Sequence, residues 1–333
     1  MTEAHHPVES HMGDRSVIDR IGNTPLELVD GVLVKLECSN PFGSVKDRIA
    51  RFMVEEARRR GDLHPGDSIV EATSGNTGIA LAAVARELGH PAIIFIPEHM
   101  SAERLDLLRL LGADVRLTPR DESFAGACAR RDELRGKPGY WVPDQFGNPD
   151  NTRCHRETTG REIIEQVRAR GIPRVDAFVA GVGTGGTLMG VGQALKDAFP
   201  GVAIVAVEPT ESAVMSGGCA GEHDIQGIGD GFIPALVDMS FVDEVSRNDT
   251  REAHDEARRI HDVHGYCVGM SAGANMLTAR RLAEDGRTVV TLWPDCSDRY
   301  VSMGLEPPGS EGSRCPMAGR CADRVEWIRA GQR

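Results

Sequence analysis

Aromatic side chains are scarce in this sequence, 5% of 333 residues, with only three Trp and three Tyr. That scarcity disfavours a sandwich or barrel core built on aromatic cross-strand pairs. The 38 glycines and the many Ala, Val and Ile residues suit tightly turned α/β architecture instead. No apolar run approaches the roughly 20 residues that span a bilayer, so membrane partners are not expected. The opening segment, MTEAHHPVESHMGDR, has no apolar core of the kind that directs secretion, and the expectation is a cytoplasmic protein. Excess basic charge is lacking too: 38 Lys and Arg against 50 Asp and Glu leave a net charge of −12. Nucleic acid and anionic membrane surfaces both demand a basic face, so neither is an expected partner. Eight cysteines in a chain this long are too sparse for a disulfide scaffold. Cys38, Cys128, Cys154, Cys219 and Cys267 are scattered. Cys315 and Cys321, with Cys296 upstream, form the one local cluster, and its spacing exceeds the usual roughly two to four residues of a zinc site. No metal site is expected.

What is present is a repeating grammar. Residues 1–14 are polar, carry His5, His6 and His11, and read as a disordered tail. From residue 68, short apolar runs alternate with helical patterns. Strands are expected at 68–72, 91–97, 113–118, 175–181, 202–209 and 288–294. Helices are expected at 77–89, 101–112, 123–135, 158–168, from the 181–187 turn through Lys196, 251–265 and 275–286. Nearly continuous apolar strands between helices indicate parallel-rich sheets covered on both faces. The length allows two lobes, and their junction near 140–155 would place a ligand in the cleft.

Three segments carry chemistry. GVGTGGT (181–187) follows a strand and opens a helix, where backbone N–H groups and the helix dipole hold a phosphate. Through Gly181, Gly183 and Gly186, with Glu208 downstream, it also satisfies a dinucleotide-binding fingerprint, so a nicotinamide or flavin oxidoreductase is a rival reading. TSGNTG (73–78) is a second polar loop between strand and helix, suited to a carboxylate or cofactor oxygen. Lys46, in NPFGSVKDR (40–48), follows a turn and enters a helix. An oxidoreductase has no joint role for both loops and this lysine. Pyridoxal phosphate needs a lysine amine, an anion cradle and polar partners for its ring.

Together with IGNTPL (21–26), QFGNP (145–149), GIGDGF (227–232), SAGAN (271–275) and PDCSDRY (294–300), these segments run in order across about 21–305. In that order the chain resembles the fold-type-II pyridoxal-phosphate enzymes, in the branch of O-acetylserine sulfhydrylase (cysteine synthase) and cystathionine β-synthase. The resemblance implies a two-lobed, tryptophan-synthase-β-like α/β fold with pyridoxal 5′-phosphate in the inter-lobe cleft. The implied large lobe is 15–47 with 151–305, the small mobile lobe 48–150, and 306–333 a C-terminal tail. It further implies that Lys46 carries the cofactor and moves the Cα proton, and that Asn76 meets the ring's 3′-oxygen. Gly183, Thr184, Gly185, Gly186 and Thr187 would cradle the phosphate, and Ser271 would face the pyridine nitrogen. Thr73, Ser74, Thr77 and Gln145 would grip the substrate carboxylate, with Gly229 near the amine. The implied reaction is β-replacement on O-acetylserine or O-phosphoserine through an α-aminoacrylate, with sulfide giving L-cysteine; homocysteine or an amine are alternative nucleophiles. A homodimer is implied by the same analogy. A serine hydroxyl opposite the ring nitrogen stabilises a carbanion less than a carboxylate does, which suits prompt β-elimination.

The chain departs from the pattern at Asp230, where an uncharged residue is frequent, and at Cys296 and Ser297. His223 reads as a solvated loop residue with a possible substrate-facing role. Arg299 and Arg120 are candidate phosphate ligands that would favour O-phosphoserine.

Overall fold

The computed structural model describes residues 16–73, 75–98, 100, 102–300 and 303–305. The expected tails, 1–14 and 306–333 with Cys315 and Cys321, lie outside them, as does Ser74. A hairpin, β1 (Leu26–Val29) and β2 (Val32–Leu36), precedes α1 (Lys46–Arg60). Next come β3 (Ser68–Ala72), α2 (Asn76–Leu88), β4 (Ala92–Pro97), α3 (Ala102–Leu110), β5 (Asp114–Thr118), α4 (Ser123–Asp132) and β6 (Tyr140–Trp141). A π-helical stretch, Arg156–Gly160, joins α5 (Pro149–His155) to α6 (Arg161–Ala169). The chain continues through β7 (Ala177–Gly181), α7 (Gly186–Ala198), β8 (Ala203–Pro209), β9 (Glu244–Asn248), α8 (Thr250–His264), α9 (Met270–Glu284) and β10 (Val289–Trp293).

The strands form two sheets, six-stranded in the order β1-β2-β10-β7-β8-β9 and four-stranded in the order β5-β4-β3-β6. The β1–β2 hairpin is antiparallel, and the other pairings among the described strands are parallel. Period-two alternation explains why the central strands are apolar throughout. Val179, Val205, Val207 and Trp293 pack on α8 and α9, against Ala257, Ile260 and Met276. Their neighbours Phe178, Ala180, Ile204 and Leu292 face the opposite way, onto Ile163, Val167, Leu188 and Leu195 of α6 and α7. Edge strands β5 and β9 have a solvated side, and their sequences are polar accordingly.

Helix α7 contains Gly190 and Gly192, each a weaker helix former than Ala by about 1 kcal/mol. Burying Leu188, Val191 and Leu195, at roughly 1.5–3 kcal/mol each, outweighs that cost. A Cβ on Gly190 would sit 2.3 Å from the Thr152 carbonyl oxygen, so the glycine permits α7 to lie against α5.

The apolar runs mark their strands to within two residues. Two helices differ from expectation. The one expected at 158–168 is preceded by α5 and the π-helical stretch, and the one expected at 275–286 begins at Met270, inside which SAGAN forms the first turns. Strands β1, β2, β6 and β9 were not expected. β6 has two residues, while β1 and β9 expose part of their length and lack an apolar run.

Beneath α1 lies a buried charge cluster. Arg48 donates to both oxygens of Glu37, at 2.7 and 2.8 Å, and to both of Glu162, at 2.7 and 2.8 Å. Lys35 bonds Glu162 at 2.8 Å and donates to the Thr24 carbonyl at 2.6 Å. Thr24 Oγ1 and Asn40 Nδ2 complete the donors to Glu37. Burial alone would raise the Glu162 carboxyl, but Arg48 and Lys35 overcome it and hold it at about 2, against an ordinary 4.5. The depressed value stabilises the fold above pH 4.5, and the gain is lost as pH falls toward 2. At 1.36 kcal/mol per pH unit the gap is worth roughly 3 kcal/mol. Glu162→Gln should therefore be less stable than the parent at pH 7 by about that amount, and the difference should shrink steadily below pH 4.5 in chemical denaturation.

Candidate active site

The turn before α1 delivers Lys46. Asp47 accepts the Phe42 N–H at 2.6 Å, and Ser44 Oγ accepts the Lys46 N–H at 3.2 Å. The same turn is fastened to the end of β10, where the Val45 N–H donates to the Pro294 carbonyl at 2.7 Å. Lys46 is thus the first residue of α1, at the positive end of a 15-residue helix. Its Nζ makes no hydrogen bond with the described residues. Burial lowers its pKa, and the carboxylates of Asp295 and Asp230 offset the drop only in part. A larger fraction of neutral amine is available than for a surface lysine.

Facing it is the turn between β7 and α7. A Cβ on Gly183 would lie 2.3 Å from the Gly227 carbonyl oxygen. Gly185 has φ +84°, and a Cβ there would lie 2.3 Å from Val237. Both positions require glycine, and the bare backbone opens onto the cavity. Asn151 donates to Thr184 Oγ1 at 3.0 Å and to the Gln145 carbonyl at 2.8 Å. His155 lies between Thr159 and Thr187, at 3.0 and 3.2 Å. Burial, with the charges of Arg48 and Lys46 adding to it, keeps its ring neutral, with one donor and one acceptor nitrogen. Asn275 accepts the Gly181 N–H at 2.7 Å and so fixes the end of β7.

The β3–α2 loop forms the other wall. Thr77 Oγ1 donates to Gln145 Oε1 at 2.5 Å, and the Thr73 hydroxyl accepts the Gly75 N–H at 3.0 Å. Asn76 is held by residues distant in sequence: its Nδ2 donates to Asp295 at 2.7 Å, and its Oδ1 accepts from Arg299 at 2.6 Å. Because guanidinium can only donate, the Asn76 oxygen must face Arg299, which leaves the second Nδ2 hydrogen for the cavity. Tyr300 donates to the same Asp295 oxygen at 2.5 Å.

One cavity is bounded by Lys46, Asn76, Gly183, Thr184, Gly185, Thr187 and Ser271. A second, continuous through Lys46 and Asn76, adds Thr73, Thr77 and Gln145. Gly186 and Gly229 line neither. Gly186 abuts Asn151, and Gly229 lies beside Pro209 and His223. Arg299 is buried and spent on Asn76, the Phe42 carbonyl and Asp298, so it does not offer its charge to a ligand in the cavity. Arg120 is exposed and lines neither cavity. His223 is half-buried and bonds the Gly229 carbonyl at 2.8 Å, rather than standing free in solvent. Cys296 is buried, with its thiol 3.2 Å from the Cys38 carbonyl. Glu208, the acid a dinucleotide fingerprint would use, is occupied by the Met215 and Ser216 N–H groups. Sequence reasoning missed Arg104, Asn151, His155 and Asn275. Arg104 is buried on this cavity, with Nε and Nη1 unpaired among the described residues. A wider hollow near Arg86, His90 and Arg109 has no lysine in its lining and is not the site.

Residues 17–295 match the family model described as pyridoxal-phosphate dependent enzyme. A cysteine synthase of Staphylococcus aureus is 46% identical over 296 residues, spanning 86% of this chain and 94% of that protein. The structure of a cysteine synthase from Entamoeba histolytica superposes with a TM-score of 0.82 at 36% identity, covering 99% of this chain and 98% of that one. A hydrogen sulfide-producing enzyme of Fusobacterium nucleatum superposes at 0.81 with 37% identity, covering 89% of this chain and 92% of that one. The glycine turn, the amine lining the cavity and these matches agree: the chain belongs to the pyridoxal-phosphate-dependent enzyme family.

Proposed function

We propose that the protein replaces the β-substituent of an O-activated L-serine, with O-acetyl-L-serine the expected donor and sulfide the nucleophile, giving L-cysteine. The observation that carries this is the convergence of the Lys46 amine, the glycine turn and the Thr73–Thr77–Gln145 wall on one continuous cavity.

The residues present fit the cofactor. The turn at 183–187, at the N-terminus of α7, offers N–H groups and no Cβ at Gly183 or Gly185, which suits a phosphate. Ser271, in the first turn of α9, presents a hydroxyl to the same cavity. Bound pyridoxal phosphate supplies a carbonyl that captures the substrate amine and a ring that withdraws electrons from Cα. Lys46, with its lowered pKa, takes the Cα proton and later returns it. Thr73, Thr77 and Gln145, beside the N-terminus of the 13-residue α2, hold the carboxylate. Phe124 and Phe146 line this cavity with ring centroids 5.9 Å apart, and Phe146 also contacts Phe232 at 5.4 Å.

Closure of 48–150 on 15–47 with 151–305 belongs to this proposal, as do a homodimer and a cytoplasmic site of action. Among the described residues no helix is long and apolar enough to cross a membrane. Arg104 is the specific observation that favours a second donor, O-phospho-L-serine, because its unpaired guanidinium nitrogens suit an anionic leaving group.

Lys46→Ala should fold but lose both turnover and the visible absorbance of bound cofactor; normal activity in that variant would end the proposal. Gly183→Ala forces a methyl against the Gly227 carbonyl, an overpacking of roughly 1–3 kcal/mol. Cofactor affinity should fall about 10- to 100-fold, read by titrating pyridoxal phosphate into apoprotein. Assays of both donors with sulfide should give the higher kcat/KM for O-acetyl-L-serine, and the reverse order would assign Arg104 to phosphate.

A further inference from the structure

The Lys46 amine accounts for one proton, at Cα. The cavity contains a second acid–base group that the scheme above does not use. Asp230 lies in the 227–232 loop between Gly229 and Gly231, whose φ values are +73° and +83°. The loop is fastened on both sides: the Gly229 N–H donates to the Val182 carbonyl at 3.0 Å, and the Gly229 carbonyl accepts from His223 at 2.8 Å and Ser212 at 3.3 Å. Ile228 is sent into the core, against α8 and α9. Asp230 is sent into the cavity shared by Lys46, Thr73 and Gln145, with Oδ2 4.0 Å from where a Gly183 Cβ would be.

Its carboxyl makes no hydrogen bond or ion pair with the described residues. Asp230 is exposed to the solvent of the cleft, with the cleft walls crowding its carboxyl. That crowding raises its pKa, and the charges of Lys46 and His223 counter the rise only in part. The other charged groups on these walls are Arg104 of α3, and Asp295, which acts on Lys46. It lines the space beside the reacting amine, together with Thr73 and Gln145.

We propose that Asp230 is the acid–base catalyst of the β-substituent, taking the proton of a thiol nucleophile and giving one to a departing thiolate. The inference rests on the β-replacement reading. In the forward step the sulfur lone pair closes the new bond to Cβ, and the S–H proton passes to the Asp230 carboxylate. The electron pair of the Cα–Cβ double bond becomes the new Cα–H bond, with its proton from the Lys46 ammonium. Asp230 then releases its proton to the solvent of the cleft. In reverse, protonated Asp230 donates to sulfur as the Cβ–S bond breaks and its electron pair stays on sulfur. Departing acetate needs no such help, because carboxylates titrate near 4 and thiols near 8.5. Such a group serves a nucleophile or leaving group that carries its proton near neutral pH, as a thiol does.

The test separates the two halves of the turnover in parent protein, Asp230→Asn and Asp230→Glu. Each is mixed with O-acetyl-L-serine, and the change in the visible band is followed. A thiol or sulfide is then added across pH 5.5–9, and the return of the band is timed. In Asp230→Asn the return should slow by about 100-fold relative to the first phase, the usual scale of one acid–base group, and its pH profile should change to follow the ionisation of the added thiol, near 8.5. Sulfide release from L-cysteine should fall by a similar factor, and Asp230→Glu should recover part of both. An Asp230→Asn return at the parent rate with the parent pH profile would overturn the role of Asp230 while leaving β-replacement standing. Absence of any band change in the parent with either O-activated serine would overturn β-replacement itself, and the Asp230 role with it.

Discussion

The placement of one amine depends on a buried ion cluster two residues away. Arg48 reaches Glu37 after β2 and Glu162 in α6, so α1 is tied to two separate parts of the large sheet's surroundings. A buried guanidinium that lost either carboxylate would remain uncompensated, at a cost of several kcal/mol. Both carboxylates are also held by the 22–40 region: Glu37 by Thr24 and Asn40, and Glu162 by the Asn23 N–H at 3.0 Å. The IGNTPL segment therefore acts as a brace for the cluster and contributes no wall to the cavity. Lys46 inherits its position from this arrangement and from the bond of its turn to Pro294.

Electrostatics in the cavity follow from the same economy of charge. Lys46 is half-buried with no hydrogen-bond partner for its amine among the described residues, and desolvation favours its neutral form, while Asp295 and Asp230 favour the ammonium. An amine between these influences holds and gives up a proton more readily than one committed to an ion pair. His155 lies behind the glycine turn but is kept neutral by burial and by the nearby cations, so it orients Thr187 and adds no charge.

The Asn76–Asp295–Arg299–Tyr300 group links the two sheets' ends. Asn76 begins α2, beside the four-stranded sheet, whereas Asp295, Arg299 and Tyr300 follow β10 of the six-stranded sheet. A shift of α2 relative to β10 would disturb two short hydrogen bonds to the same amide. In this structure the register between the walls is held by polar groups at the cavity edge.

Local pattern in the sequence determined a good deal: the apolar runs of β3, β4, β7, β8 and β10, the glycine turn after β7, and Lys46 at a helix start. Each is a short-range property, set by side-chain alternation or by φ values that only glycine adopts easily. The sequence order of the motifs further carried the family and the cofactor. Tertiary structure decided what proximity in sequence cannot express. Arg299, a candidate ligand in the sequence, is a support for Asn76, and Arg104, unremarkable on a helix, is a buried wall of the cavity. Edge strands β1 and β9 escaped detection because a strand with one solvated side needs no apolar run, only a neighbour with free N–H and C=O groups. Asp230 was legible as a departure from the family pattern. That it faces Lys46 follows from a loop folded back from beyond β8 over the end of β7, where the Gly229 N–H bonds the carbonyl of Val182, a residue far away in sequence.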